Sequence, residues 1–201
     1  HDIPAAGTPL REATISVGEY FKRTDDQGPW GQTPGSTGGT QHECRQNFNI
    51  LMTDGYWTEG SISGMDNSDN QSGSTITNDS SPATPASYTY SPSSPYSDAY
   101  SDTLADVAMH YWKNDLRTDM LNKVPTNAHD PAFWQHLVNF TVGLGVTGSL
   151  SSLPSGSGSW PDPTTSDAAK IDDLWHAAVN SRGSFFSASD PATFSNALSN
   201  A

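Results

Sequence analysis

Cysteine is almost absent: Cys44 stands alone among 201 residues. One thiol excludes an internal disulfide and any zinc site built on cysteine pairs. Its own fate stays open between a buried thiol and a bond to a cysteine on another segment or chain. Basic residues are scarce, 9 Lys and Arg against 22 Asp and Glu, for a net charge of −13. Phosphate backbones and anionic lipids need a cationic footprint, so nucleic acid and acidic membrane surfaces are excluded as partners. The balance fits an extracellular or salt-exposed surface, or one with affinity for divalent cations. No run approaches the roughly 18 apolar residues of a membrane span, so no membrane insertion is expected.

Catalytic signatures are lacking as well. There is no Gly-x-Ser-x-Gly elbow, no His-Glu-x-x-His and no glycine-rich phosphate loop. The six histidines, His1, His42, His110, His129, His136 and His176, show no ligand-like spacing. His110 and His176 fall on predicted helices, where they read as partly buried structural residues. The chain opens on His1 without a signal-like segment, which reads as a processed product or a piece of something longer. Only 33% of residues are hydrophobic, so part of the chain must be loop rather than core.

The organising stretch is Asn47 to Gly55. Phe48, Ile50, Leu51 and Met52 form an apolar run of strand length closed by Thr53, Asp54 and Gly55. A run apolar on both faces predicts a strand buried from both sides, as in parallel sheets. Ligands of open α/β sheets collect at the carboxyl ends of strands, where Asp54 sits. A plain Asp-Gly turn accounts for the same residues.

Ahead of it, Thr8 is a candidate N-cap with Pro9 at the first helical position. Leu10, Ala13, Val17, Tyr20 and Phe21 then keep helical spacing to Lys22 and Arg23. Residues 24–43 read as loop. From about Trp57 to Asp102 the chain holds many serines and neither Lys nor Arg. It reads as an insertion on the surface with short β segments, because such composition builds no core by itself. Within it, Asp66 to Asn70 is calcium-loop-like in composition only, lacking the glycine and terminal glutamate, and reads as a solvated polar loop.

Ser101, Asp102 and Thr103 cap a second predicted helix through Leu104, Val107, Ala108, Tyr111 and Leu116. After a turn at His129 to Pro131, Trp134 to Gly145 gives a second buried-strand pattern. A Ser/Gly/Pro loop over 147–167 leads to a helix from Ala168 to Asn180. A strand over Ser184 to Ala188 and a helix from Pro191 to Ser199 complete the series. Alternation of helix and strand predicts an α/β fold with a mostly parallel sheet.

Four stretches, in this order, together resemble a von Willebrand factor A domain. They are Gly7-Thr8-Pro9-Leu10, Ile50 to Gly55, Val142-Gly143-Leu144-Gly145 and Gly183 to Ala188. Glu43 to Asn47, Leu104 to Ala108, Asp115 to Arg117 and Asp173 to Val179 are more narrowly similar to the amino-terminal region of the PilY1/PilC family of type IV pilus tip proteins. The resemblance implies a partial A-like domain over 1–201, with an insertion at about 57–102 and the early strands missing. It also implies a metal-ion-dependent adhesion site with Thr8 and Asp54 as ligands. Hydroxyl and carboxylate are hard donors suited to Mg²⁺ or Ca²⁺, and an incomplete shell leaves room for a partner's carboxylate. The family's Asp-x-Ser-x-Ser is absent, so the remaining ligands would come from outside this chain. A helix cap is the competing role for Thr8.

The family further implies a non-catalytic adhesion or assembly domain at the pilus tip, extracellular after passage through the periplasm. Its partners would be minor pilins, the remainder of the parent protein, or a host or surface ligand. Two alternatives stand beside it. One is a secreted hydrolase pairing Asp54 with Asp102 or Asp106; the other is a self-assembling subunit whose open sheet edge is completed by a neighbouring copy.

Overall fold

The computed structural model describes residues 7–156, 158–188, 195 and 199. Helix α1 spans Leu10–Phe21 and strand β1 Phe48–Thr53; a 3₁₀ turn, Ser68–Asn70, then precedes β2 (Ile76–Thr77) and β3 (Ser87–Tyr88). Helix α2 (Leu104–Lys113), β4 (Val138–Leu144), α3 (Asp167–Asn180) and β5 (Phe185–Ala188) follow. The main sheet has the order β1-β4-β5 and is parallel throughout. Its register pairs Phe48 with Val138 and Thr141 with Phe185. A separate antiparallel pair joins β2 to β3. This is the α/β class, a parallel sheet flanked by helices, that the alternation predicts. The helix expected over 191–199 lies outside the described residues except for 195 and 199.

All three helices gather on one side of the sheet. Leu51 and Phe185 point there and pack against Leu10, Trp57, Leu104, Ala108, Leu174 and Ala177. Because side chains alternate along a strand, Phe48, Ile50 and Met52 point to the other side, where they are 54%, 49% and 49% exposed. The expectation of a strand buried from both faces is therefore corrected. Among the described residues β1 is also an edge, paired with β4 alone.

The helix ends follow ordinary capping chemistry with one exception. Thr103 caps α2 in a reciprocal box with Asp106, and the Ser166 hydroxyl accepts the Ala169 N–H of α3. At α1 the N-cap position is Pro9 and no local side chain serves it, which corrects the reading of Thr8 as the cap. Glu59, far along the chain, accepts the Arg11 N–H at 2.6 Å. The Thr8 N–H instead donates to the Thr58 hydroxyl, and the Thr8 carbonyl accepts the N–H groups of Leu10 and Thr58.

The serine-rich segment is only partly surface. Ile76 and Tyr90 join Met109, Trp112, Ala132, Phe133 and Trp134 in one buried cluster. Asp69, expected in a solvated loop, is 0% exposed. Those serines and glycines carry a few anchors that borrow an apolar surface from α2. Leu116, expected at the end of the second helix, lies past it, and its N–H is held by the Gln135 carbonyl.

Helix α1 meets α2 where Gly18 faces the Tyr111 ring, into which any Cβ would run. Helix propensity alone gives Gly18→Ala a gain of about 1 kcal/mol. Packing reverses the sign, and urea unfolding of the variant is expected to show a loss of about 1–3 kcal/mol.

Candidate functional site

Asp54 is exposed and follows directly on β1, with Gly55 turning the chain; the Thr53 hydroxyl accepts the Gly55 N–H. Thr8, half-buried, stands before α1 and is tied to Thr58. In a βαβ arrangement helix N-termini lie at the carboxyl edge of the sheet, and this edge is dressed by the segment after β1. Arg11 lies over the Trp57 ring at 3.8 Å. It bonds Glu59 Oε1 at 3.1 Å and also donates to the backbone carbonyls of Asp102, Glu59 and Gly60. Lys170 reaches over Tyr56 and Trp57. The Asp167 carboxylate, hydrogen-bonded to Tyr56, holds that phenol above its ordinary range.

The carboxylates considered for hydrolysis do different work. Asp102 Oδ1 accepts the N–H groups of Met65 and Asp66. Asp106 is 0% exposed, with Oδ2 on Thr103 and Oδ1 on the Asp69 N–H. The cavity that Asp102 lines, about 250 Å³, brings it near Arg11 and Asp162, with Asp54 outside it.

A larger cavity, about 300 Å³, opens at the amino ends of β1 and β4, away from Asp54. Phe48, Val138 and Phe140 form its apolar wall, with Asn127, His129 and Asp130 among its polar ones. Asp130 meets His136 Nε2 at 2.8 Å and accepts from Trp112 Nε1 and the Ala132 N–H. His136 Nδ1 faces the Trp134 carbonyl at 2.7 Å. Both ring nitrogens thus face acceptors, a geometry that the doubly protonated ring satisfies.

A third group is buried between the serine-rich segment and α3. Asp69, Asp98 and His176 each present a ligand atom, all within 4.8 Å of one another. Asp69 Oδ1 accepts the Asp98 N–H, and its Oδ2 accepts Asn180 Nδ2 at 3.0 Å. His176 Nε2 meets the Tyr96 carbonyl at 2.7 Å. Trp160 stacks on the imidazole, with centroids 4.2 Å apart and planes 12° from parallel. Burial pushes Asp69 up to about 6 and Asp106 up to about 8. Sequence reasoning reached His176 only as a helix residue and Asp69 only as a loop residue. No spacing rule links Asp69 or Asp98 to His176, since the fold alone brings them together.

Comparison with known proteins places the chain beside three curated relatives. Two, from Pseudomonas aeruginosa strains PAK and PAO1, carry the name type IV pilus biogenesis factor PilY1. Each is 40% identical over 215 residues, covering 92% of this chain and 18% of the relative. The protein of the same name from strain UCBPP-PA14 is 35% identical over 220 residues, covering 93% of this chain and 18% of its own length. The chain therefore spans about a fifth of the curated relatives it matches. No family model matches, and no solved structure does. Among the described residues no helix is long and apolar enough to cross a membrane.

The Asp130–His136 pair yields a pH prediction. Burial would raise the Asp130 carboxyl, but the hydrogen bond and charge of His136, together with the bonds from the Ala132 N–H and Trp112, hold the group below its usual range. Its ionised form therefore stabilises the fold above the unfolded carboxylate value of about 3.9, and that contribution is lost as pH falls through the lower folded value. In thermal melts from acid to neutral pH, the advantage of the wild type over Asp130→Asn is expected to grow as pH rises toward about 4 and to level off above about 5.

Proposed function

We propose that the chain is a non-catalytic adhesion or assembly module of a larger type IV pilus-associated protein, displayed at the cell surface on the pilus tip. The observation that carries this reading is the 40% identity with PilY1 proteins over 92% of the chain. The module is read as a partial von Willebrand factor A-like domain over 1–201 with an insertion at 57–102. Its functional edge is the carboxyl end of the sheet, where Thr8 and Asp54 would ligate Mg²⁺ or Ca²⁺. Oxygen donors from outside these residues would complete the shell, and a partner's carboxylate would take the open position. Minor pilins, the remainder of the parent protein, or a host or surface ligand are the proposed partners. Support for the edge comes from Asp54 being exposed with no hydrogen bond that commits its carboxylate among the described residues.

The self-assembling subunit remains a second reading because of one feature. The outward face of Phe48, Ile50 and Met52, on a strand with a free edge among the described residues, suits pairing with a copy of itself.

The test places Asp54→Ala in the full-length parent. The isolated chain should keep its stability within about 0.5 kcal/mol, since the residue is exposed. Surface piliation or adhesion that depends on Mg²⁺ or Ca²⁺ should lose that dependence. Normal piliation and unchanged cation dependence would remove the Thr8 and Asp54 site. Sedimentation of the 201-residue chain addresses the second reading: a concentration-dependent homo-oligomer favours self-assembly, and a persistent monomer counts against it.

A further inference from the structure

Around Asp69 the buried carboxylates outnumber the cations that face them. Asp69, Asp98, Asp106 and Asp173 are all withdrawn from solvent, with side chains of Asp69 and Asp98 only 0% and 3% exposed. Facing them are His176 and Lys113. Lys113 is turned to the Ser68 and Gln71 carbonyls. Buried carboxylates in such excess must take up protons or a cation.

The geometry around His176 favours a cation. Asp98 Oδ2 lies 3.4 Å from Nδ1 and Asp69 Oδ2 3.5 Å from Nε2. A charge-assisted pair drawn together directly closes to about 2.7–2.9 Å. Tetrahedral bonds of about 2.0–2.1 Å instead leave neighbouring ligand atoms about 3.3 Å apart, the spacing of Nδ1 and Asp98 Oδ2; Asp69 lies beside the other ring nitrogen, within the 4.8 Å that spans the three groups' ligand atoms. The Tyr96 carbonyl can only accept, so Nε2 turns a proton to it, and Nδ1 is the ring atom turned to Asp98. A ligating histidine whose other N–H is given to a carbonyl is the usual outer support of a metal. Each carboxylate is likewise anchored and keeps lone pairs to spare: Tyr100 N–H holds Asp98 Oδ1, while Asp69 takes the Asp98 N–H on Oδ1 and Asn180 Nδ2 on Oδ2. Asn180 adds a separate sign. It is 0% exposed, its nitrogen sits on Asp69, and its Oδ1 is buried without a partner.

We infer that Asp69, Asp98 and His176 form a buried site for a divalent first-row cation, with the unpartnered Asn180 Oδ1 as the candidate fourth donor. The mixed oxygen and imidazole set selects Zn²⁺ or Mn²⁺ over Ca²⁺ and Mg²⁺, which prefer oxygen alone. Bound there, the ion ties the serine-rich segment, through Asp69 and Asp98, to α3, through His176. The role is structural, because the ligands are enclosed and Trp160 covers the ring. This site is independent of the Thr8 and Asp54 edge.

The experiment uses the 201-residue chain, stripped with chelator and titrated calorimetrically with ZnCl₂, MnCl₂ and CaCl₂. One equivalent of Zn²⁺ or Mn²⁺ should bind, raise the melting temperature and leave Ca²⁺ a weak competitor. Asp98→Asn should lose more affinity than the about 10–100-fold that removal of an outer partner costs, and Asp54→Asn should lose none. Where a variant misfolds, ring ¹⁵N shifts of the wild type decide: His176 alone of the six histidines should move on Zn²⁺ addition. Failure to bind a stoichiometric ion, binding that survives Asp98→Asn, or shifts at other histidines with His176 still would each overturn the site.

Discussion

The carboxylate of Asp173 holds the three structural layers together. It belongs to α3, yet its two oxygens accept the first free N–H groups of α2, at Leu104 and Ala105, and the indole N–H of Trp57 behind β1. Burial raises its pKa, and the three donors oppose that shift. A helix start left bare in the interior would strand several donors. With Asp173 in place, α2 can run through the centre of the molecule with α1 on one side and α3 on the other. The Thr103–Asp106 box then completes the same helix end and passes one more bond to Asp69. The serine-rich segment is thereby fastened to a point that the helices have already fixed.

From that point outward the molecule reverses the usual division between inside and outside. Carboxylates, two histidines, a lysine and two arginines are enclosed, while Phe48, Ile50 and Met52 face out. Arg182, half-buried, is held in the same way: its guanidinium lies 3.8 Å from the Tyr96 ring and 3.7 Å from the Trp112 ring. Its backbone takes a left-handed φ of 64°, a conformation that costs a non-glycine residue energy and persists only where surrounding contacts impose it. Here the contacts are the two aromatic faces, of Tyr96 and Trp112, and the carbonyls of Val179 and Asn180 at the end of α3. Polar pinning of this kind replaces the apolar core that its composition cannot supply.

Much of the frame was legible in the sequence because its causes are local. The Thr103 cap, the helical spacing after it, the short run from Phe48 and the glycine-closed strand at Val142 each follow from neighbours a few residues away. What escaped depends on distant partners. Glu59 replaces a local cap at α1 across 48 residues, and Asn180 reaches Asp69 across 111. Periodicity could not say which face of β1 would be covered, since apolar residues occupy both. Asp54 at a strand end was readable from its motif, whereas the Asp69, Asp98 and His176 group had no motif to read. Tyr90 looked like one of several scattered tyrosines until Met109 and Trp112 supplied its surroundings.

The register of the sheet imposes an order in time. Asn49 and Asn139, bonded side by side in β1 and β4, are 90 residues apart, so β1 leaves the ribosome long before the strand it pairs with. Closing so long a connection is slow, and a parallel pair gains nothing until it closes. In that interval Phe48, Ile50 and Met52 travel as an unpaired apolar strand, the kind of segment that chaperones retain and that associates wrongly when crowded. Nascent-chain handling therefore bears, beside the stability of the finished fold, on how much of this protein a cell accumulates.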